Sequence, residues 1–193
     1  MGFGPKGMAR IAGALYLVNI LAGAFAIGFV PEVTGGNAQG HDLLVRSGVA
    51  AHVLVTATNV PLAMLFYELF KVVDRRAAIL VAFFTLVGTA VEAGGIVNPR
   101  GLSYEVSTVF FGFYAATMGY LVYRSVFMPR AIGVLMAVDG AAYLVNSFAS
   151  ILAPGFAAHL VPYIQMPVLF GEGSLCLWFL IAGVNEERWR RLQ

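Results

Sequence analysis

The sequence predicts an all-α membrane protein, a bundle of six transmembrane helices with both termini on the cytoplasmic side. Three observations carry this. The 193-residue chain is 60% hydrophobic and only 11% charged, with a mean hydropathy of +0.82, whereas soluble domains are about 25% charged. Its apolar residues fall into six runs, each reaching the ~20 residues that a helix needs to cross ~30 Å of hydrocarbon. The basic residues collect on alternate connections between those runs, as the positive-inside rule requires.

The runs cover residues 11–30, 43–70, 77–97, 104–124, 131–153 and 160–184, forming one domain over 1–193. They lack period-2 alternation and exceed the ~10 residues of a barrel strand, so strands are excluded. Lys6 and Arg10 followed by an apolar run imitate a signal peptide. The 20 residues from Ile11 to Val30 exceed a signal h-region, however, and predict a retained first helix. Breaks are expected at Pro31 with Gly35-Gly36, at Asp74-Arg75-Arg76, at Asn98-Pro99-Arg100-Gly101, at Met128-Pro129-Arg130 and at Pro154-Gly155. Lys6, Arg10, Lys71, Arg75, Arg76, Arg124, Arg130, Arg188, Arg190 and Arg191 then lie on one side, leaving Arg46 and Arg100 on the other. This places the termini in the cytoplasm. Trp189 in the Arg-rich tail reads as an interfacial anchor.

The net charge of +2 gives no reason to expect a nucleic-acid partner, and the single Cys176 forms no intrachain disulfide. Gly2-x-Gly4-x-x-Gly7 has the letters of a dinucleotide loop but no preceding strand. His41, His52 and His159 lack metal-ligand spacing. Neither a metal nor a cofactor is expected.

The informative residues are the polar ones inside the spans, which recur at helical spacing and so share a face. The second span carries His52, Thr56 and Asn59; the third, Thr85, Thr89 and Glu92; the fifth, Asp139, Tyr143, Asn146 and Ser150; the sixth, Gln165, Glu172 and Cys176. Tyr16 and Asn19 in the first span and Tyr114 and Thr117 in the fourth add to them. With lipid outside, these stripes are expected to meet in an inward polar seam. A rise of ~1.5 Å per residue puts Asp139 and Glu172 near the midplane. Glu92, His52, Asn146 and Gln165 fall in the outward half, and Arg46, Arg100, Glu105 and His159 at the outer mouth. Asn19, Thr85, Thr89 and Ser150 read as interhelical hydrogen-bond glue. Buried Glu92, Asp139 and Glu172 mark a site, because a carboxylate in the membrane must face a protein interior, find a partner or take up a proton.

The block Ala9-Arg10-Ile11-Ala12-Gly13-Ala14-Leu15-Tyr16-Leu17 is the first of four that carry a family resemblance. The others are Gly119-Tyr120-Leu121 running into Arg124-Ser125-x-Phe127-Met128-Pro129-Arg130-x-x-Gly133, then Tyr143-Leu144-x-x-Ser147-Phe148, and Gly171-Glu172-x-Ser174-Leu175-Cys176-Leu177-Trp178. Together they resemble the bacterial membrane proteins of domain of unknown function 4386. The resemblance implies a small multi-helix membrane protein with no established activity or cofactor, and makes Glu172 and Arg130 part of a family pattern. The chain departs from that pattern in a short connection between the third and fourth spans and in Tyr114, where His or Trp is frequent.

The leading functional expectation is binding, and in its extended form transport, of a small amphipathic or cationic molecule in a polar intramembrane cavity. The ligand-binding or proton-exchanging residues would be Glu172, Asp139, Glu92, His52, Asn59, Asn146, Gln165 and Tyr143, with Arg46, Arg100 and Glu105 as outer-mouth charges. A second reading is an accessory subunit of a larger membrane complex, with a membrane-protein partner or a second copy of itself. A third is an intramembrane enzyme acting on a lipid or isoprenoid, with Glu92, Asp139 and Glu172 as acid and base.

Overall fold

The structure, a computed structural model, describes residues 4–35, 40–97 and 102–193, so Arg100 lies outside the described residues. All the regular structure within them is helical. Six stretches are long and apolar enough to cross a membrane: Pro5–Thr34, Asp42–Phe70, Arg75–Ile96, Ser103–Arg124, Arg130–Leu152 and Tyr163–Ile181.

The first stretch is a composite. Helix α1 (Pro5–Gly23) starts on a proline whose missing N–H is not needed there. It runs without a break through a π-helical turn, Ala24–Phe29, into α2 (Val30–Thr34). Gly35, at φ 57°, closes α2 in the left-handed conformation that a residue without Cβ takes readily. The other long helices are α3 (Asp42–Phe70, with Pro61 inside it), α4 (Arg75–Val97), α5 (Ser103–Arg124) and α6 (Arg130–Leu152). The sixth span differs from expectation at its start. Residues 154–160 form a separate short helix, α7 (Pro154–Leu160), and the membrane-length stretch begins only at a 3-10 turn, Tyr163–Gln165, leading into α8 (Met166–Ile181). Pro162 lies between the two and supplies no N–H to carry a helix across. A last short helix, α9 (Glu186–Arg190), is capped by Asn185, whose side chain accepts from the Arg188 N–H.

Each long helix packs on the next in chain order, and α8 returns to α1, so α1, α3, α4, α5, α6 and α8 form a closed ring. Both termini are at one end of it, since Gly183 packs against Lys6. That end is filled solid by Phe66, Phe70, Phe179, Leu69, Leu121 and Leu175, all essentially inaccessible. Its rim carries basic side chains over aromatic rings: Lys71 over Tyr67, Arg124 over Tyr120 and Arg130 over Tyr123, at 5.6, 5.8 and 5.6 Å. The Trp189 indole N–H donates to the Leu69 carbonyl at 2.8 Å, which ties α9 under the bundle.

The tightest helix pair is α5 with α6, and glycine is the reason. A Cβ on Gly119 would lie 2.7 Å from the Gly133 carbonyl oxygen, and one on Gly133 would lie 2.8 Å from that of Gly119. Gly112 and Gly140 repeat the arrangement one glycine step further along, at 3.1 and 2.7 Å. Within a membrane, close backbone approach at small residues takes the place of the hydrophobic drive that water supplies elsewhere. This seam holds α6, and the polar residues it carries, in register.

Candidate functional site

The half of the ring away from the termini is hollow. A cavity of about 540 Å³ is lined by residues from every long helix, among them Tyr16 and Asn19 of α1, Asn59 and Phe66 of α3, Thr85 and Glu92 of α4, Tyr104, Thr108 and Tyr114 of α5, Tyr143 and Asn146 of α6, and Glu172 of α8. No Lys or Arg among the described residues is part of this lining.

Glu172 reaches the cavity because α8 starts after Pro162 and turns one face inward. The Tyr143 hydroxyl donates to its Oε1 at 3.3 Å. Beside it the Tyr114 hydroxyl donates to that of Tyr16 at 3.4 Å. The ring of Phe66 lies between these two tyrosines, edge-on to Tyr16 at 5.8 Å and stacked on Tyr114 at 6.1 Å. The cavity floor is therefore aromatic, with phenolic oxygens at its edge.

Glu92 stands on the opposite wall. Its Oε1 is 2.8 Å from His52 Nε2, while Oε2 is buried with no hydrogen-bond partner among the described residues. Glu92 and Tyr104 also border a second recess of about 450 Å³ that contains His52, Glu105 and Ser103. These two side chains thus form the partition between the recess and the main cavity. Asn146 Oδ1 is likewise buried without a partner among the described residues. Asn19 joins α1 to α3: its Nδ2 donates to the Val55 carbonyl at 3.0 Å, Thr58 Oγ1 at 3.0 Å and Asn59 Oδ1 at 2.9 Å.

Six of the residues expected at the site therefore share one cavity: Glu172, Glu92, Asn59, Asn146, Gln165 and Tyr143. His52 stands behind Glu92 in the adjoining recess. Asp139 is outside both. It is fully buried between α6 and α8, and neither carboxyl oxygen has a partner among the described residues. Gly171 packs on it so closely that a Cβ there would sit 2.6 Å from the Asp139 Cβ. Arg46 is exposed, and Glu105 is in the recess rather than the cavity.

The expected stripes were partly rotated. Thr56 and Thr117 donate within their own helices, to Val53 and Phe113, and do not line the cavity. Of the expected glue residues, Asn19 does bridge two helices. Thr85 instead donates to the Val81 carbonyl of its own helix, and Thr89 Oγ1 is buried without a partner among the described residues. Cys176 packs in the core against the Gly13 carbonyl at 3.5 Å. Tyr104, and the Thr108–Ser147 hydroxyl pair at 2.7 Å joining α5 to α6, are absent from the sequence reading. Both Tyr104 and Thr108 stand near the start of α5, where polar side chains are ordinary and carry no signal.

This membrane-type helical bundle belongs to the family described as "Domain of unknown function (DUF4386)", which matches residues 11–100 and 97–183. The chain is also similar to an "Uncharacterized protein" of Archaeoglobus fulgidus, at 24% identity over 135 residues, covering 67% of this chain and 80% of that protein. No solved structure matches the chain.

Proposed function

We propose that this protein sits in the inner membrane with its termini in the cytoplasm and holds a small amphipathic cation in the cavity of the opposite half. The single observation that carries this reading is the lining: two carboxyl side chains on facing walls, an aromatic floor, and no Lys or Arg among the described residues. A volume near 540 Å³ lies within the range of small-molecule sites. A cation there would meet Glu172 in a charge-assisted contact and the faces of Tyr16, Phe66 or Tyr114 in cation–π contact. Asn59, Asn146 and Gln165 supply polar groups that fix its orientation. Placing the basic rim in the cytoplasm follows the positive-inside rule.

Transport is the extended form of the reading. It requires Phe66, Phe70 and Phe179, which fill the terminal half, to part so that the ligand can pass.

The test is native mass spectrometry of the protein extracted gently from its own membrane, wild type beside Glu172→Gln. The expected result is a small molecule bound to the wild type and lost from the variant. A small molecule retained equally by both, or a stoichiometric second polypeptide with no small molecule on either, refutes the reading; the latter result supports an accessory subunit.

A further inference from the structure

The cavity wall is incomplete in one place. Near the termini α1 and α8 are shut together: a Cβ on Gly13 would lie 2.8 Å from the Leu180 backbone nitrogen, and Cys176 packs against the Gly13 carbonyl. Farther along, the same two helices separate around the cavity. Ala24, Ile27 and Gly28 of the π-helical turn line it from one side, and Met166 and Leu169 of α8 from the other. All five are at the same time exposed on the outside of the bundle, Ile27 by 40%, Met166 by 49% and Leu169 by 60%. Residues that face both the cavity and the exterior are the rim of an opening.

The chemistry of that rim says what it opens to. Its side chains are apolar apart from Gln165, which is also exposed and lines the cavity beside Met166 at the start of α8, whereas an opening onto water would hold more polar ones. On a membrane-spanning bundle, an apolar rim between two helices faces acyl chains. Glycines keep the passage wide. Gly28 and Gly173 both line the cavity, and a Cβ on either meets nothing within 4 Å. The π turn, an uncommon local form that recurs at functional sites, builds one side of the slot.

We propose that this slot is a lateral portal through which an amphiphile with a cationic head and a single hydrocarbon chain enters from the leaflet farther from the termini. Its head lies at Glu172 and its chain leaves between the π turn and the start of α8. This rests on the cation-binding reading of the cavity and adds the route and the tail.

Two probes and three variants separate the ideas. Dodecylammonium carries head and tail, and tetramethylammonium only a head; binding of each is measured to the full-length protein in lipid nanodiscs. Glu172→Gln is expected to weaken both probes tenfold or more. Gly28→Leu combined with Gly173→Leu fills the slot. It is expected to weaken dodecylammonium, or slow its association, at least tenfold more than it weakens tetramethylammonium. An unchanged thermal midpoint shows that the double variant is folded, and Leu169→Ala, which widens the rim, should speed dodecylammonium association. Wild-type behaviour of the double variant towards dodecylammonium overturns the portal while leaving the cavity reading intact. Loss of both probes in the double variant also overturns it, since the leucines would then fill the binding site itself. Failure of the wild type to bind either probe overturns the cavity reading and the portal with it.

Discussion

Gly140→Ala tests whether the α5–α6 seam sets the geometry of the site. A Cβ at this position would stand 2.5 Å from the Ala116 backbone nitrogen, 2.7 Å from the Gly112 carbonyl oxygen and 2.9 Å from the Ala116 Cα. Ordinary contact begins at 3.4 Å, so the two backbones must move apart by roughly 1 Å, more than a close-packed interior absorbs without strain. None of these atoms is the end of a flexible side chain, so rotamer changes give no relief. Overpacking a core costs about 1–3 kcal/mol, and rigid backbone on both sides puts this case at the upper end. Alanine's better helix propensity returns up to about 1 kcal/mol, leaving a net loss of about 2 kcal/mol. Gly28→Ala is the control: its Cβ meets nothing within 4 Å, so propensity alone acts and stability should hold or rise slightly. Equilibrium unfolding in mixed micelles measures both. If Gly140→Ala and Gly28→Ala agree within about 0.5 kcal/mol, smaller than either term above, the seam does not hold α6 as described.

Two further predictions rest on single side chains. His52→Leu removes the one partner of Glu92 Oε1 among the described residues and should cost about 1–3 kcal/mol, the usual penalty for stranding a buried polar group. Adding Glu92→Leu should recover much of that loss, and a strictly additive double-mutant cycle would refute the coupling. Asp74, on the connection between α3 and α4, caps α4 by accepting from the Ala77 and Arg76 N–H groups at 3.1 and 3.0 Å, and the Tyr120 hydroxyl donates to it at 3.3 Å. The Ala77 bond foremost, with the Arg76 bond and Tyr120, holds its carboxyl below the usual carboxylate range against a smaller opposing effect of desolvation. Because the folded value lies below the unfolded one, near 3.9, this stabilisation is full above the unfolded value and fades as pH falls through the folded one. Asp74→Asn should therefore flatten the acid limb of a thermal midpoint measured from pH 6 to 3, and an unchanged limb would contradict the assignment.

The spans were legible because crossing a bilayer demands length and apolarity, which composition records directly. Four of the six begin and end within two residues of where hydropathy alone puts them, and the first runs longer at both ends, from Pro5 to Thr34. The sixth starts late because the backbone is interrupted twice: at the expected Pro154, which opens a short helix as proline at a first helical position can, and again at Pro162. Six cavity residues were legible for a related reason, because polar groups at helical spacing tend to share a face, although Thr56 and Thr89 of the same stripes do not line the cavity. Height along the axis also follows from residue number. Which neighbour stands opposite does not. Asp139 is at the height of the site, yet the missing side chain of Gly171 lets α8 close over it. The π turn and the Gly112, Gly119, Gly133 and Gly140 seam leave no hydropathy signature. Glycine there acts through what is absent, and a seven-residue spacing shows its purpose only when two helices are set side by side.

Asp139 and Glu172 thus fall into different environments although one helix contact joins them. Asp139 abuts Gly171, and the next residue, Glu172, turns into the cavity. Glu172 has space before it and a phenol donating to it; Asp139 has neither, and can influence a ligand only by way of the α6–α8 contact. This weakens a reaction run by three cooperating carboxyls, since only Glu92 and Glu172 border common space. Those two come from α4 and α8, which stand opposite one another in the ring. Glu92 is engaged with His52, whereas Glu172 is met by the Tyr143 phenol at 3.3 Å. For the proposed cation, Glu172 would be the nearer anchor to the apolar slot and Glu92 the far wall. That asymmetry favours a molecule held by one end, with its head at Glu172 and its apolar remainder directed towards the α1–α8 side.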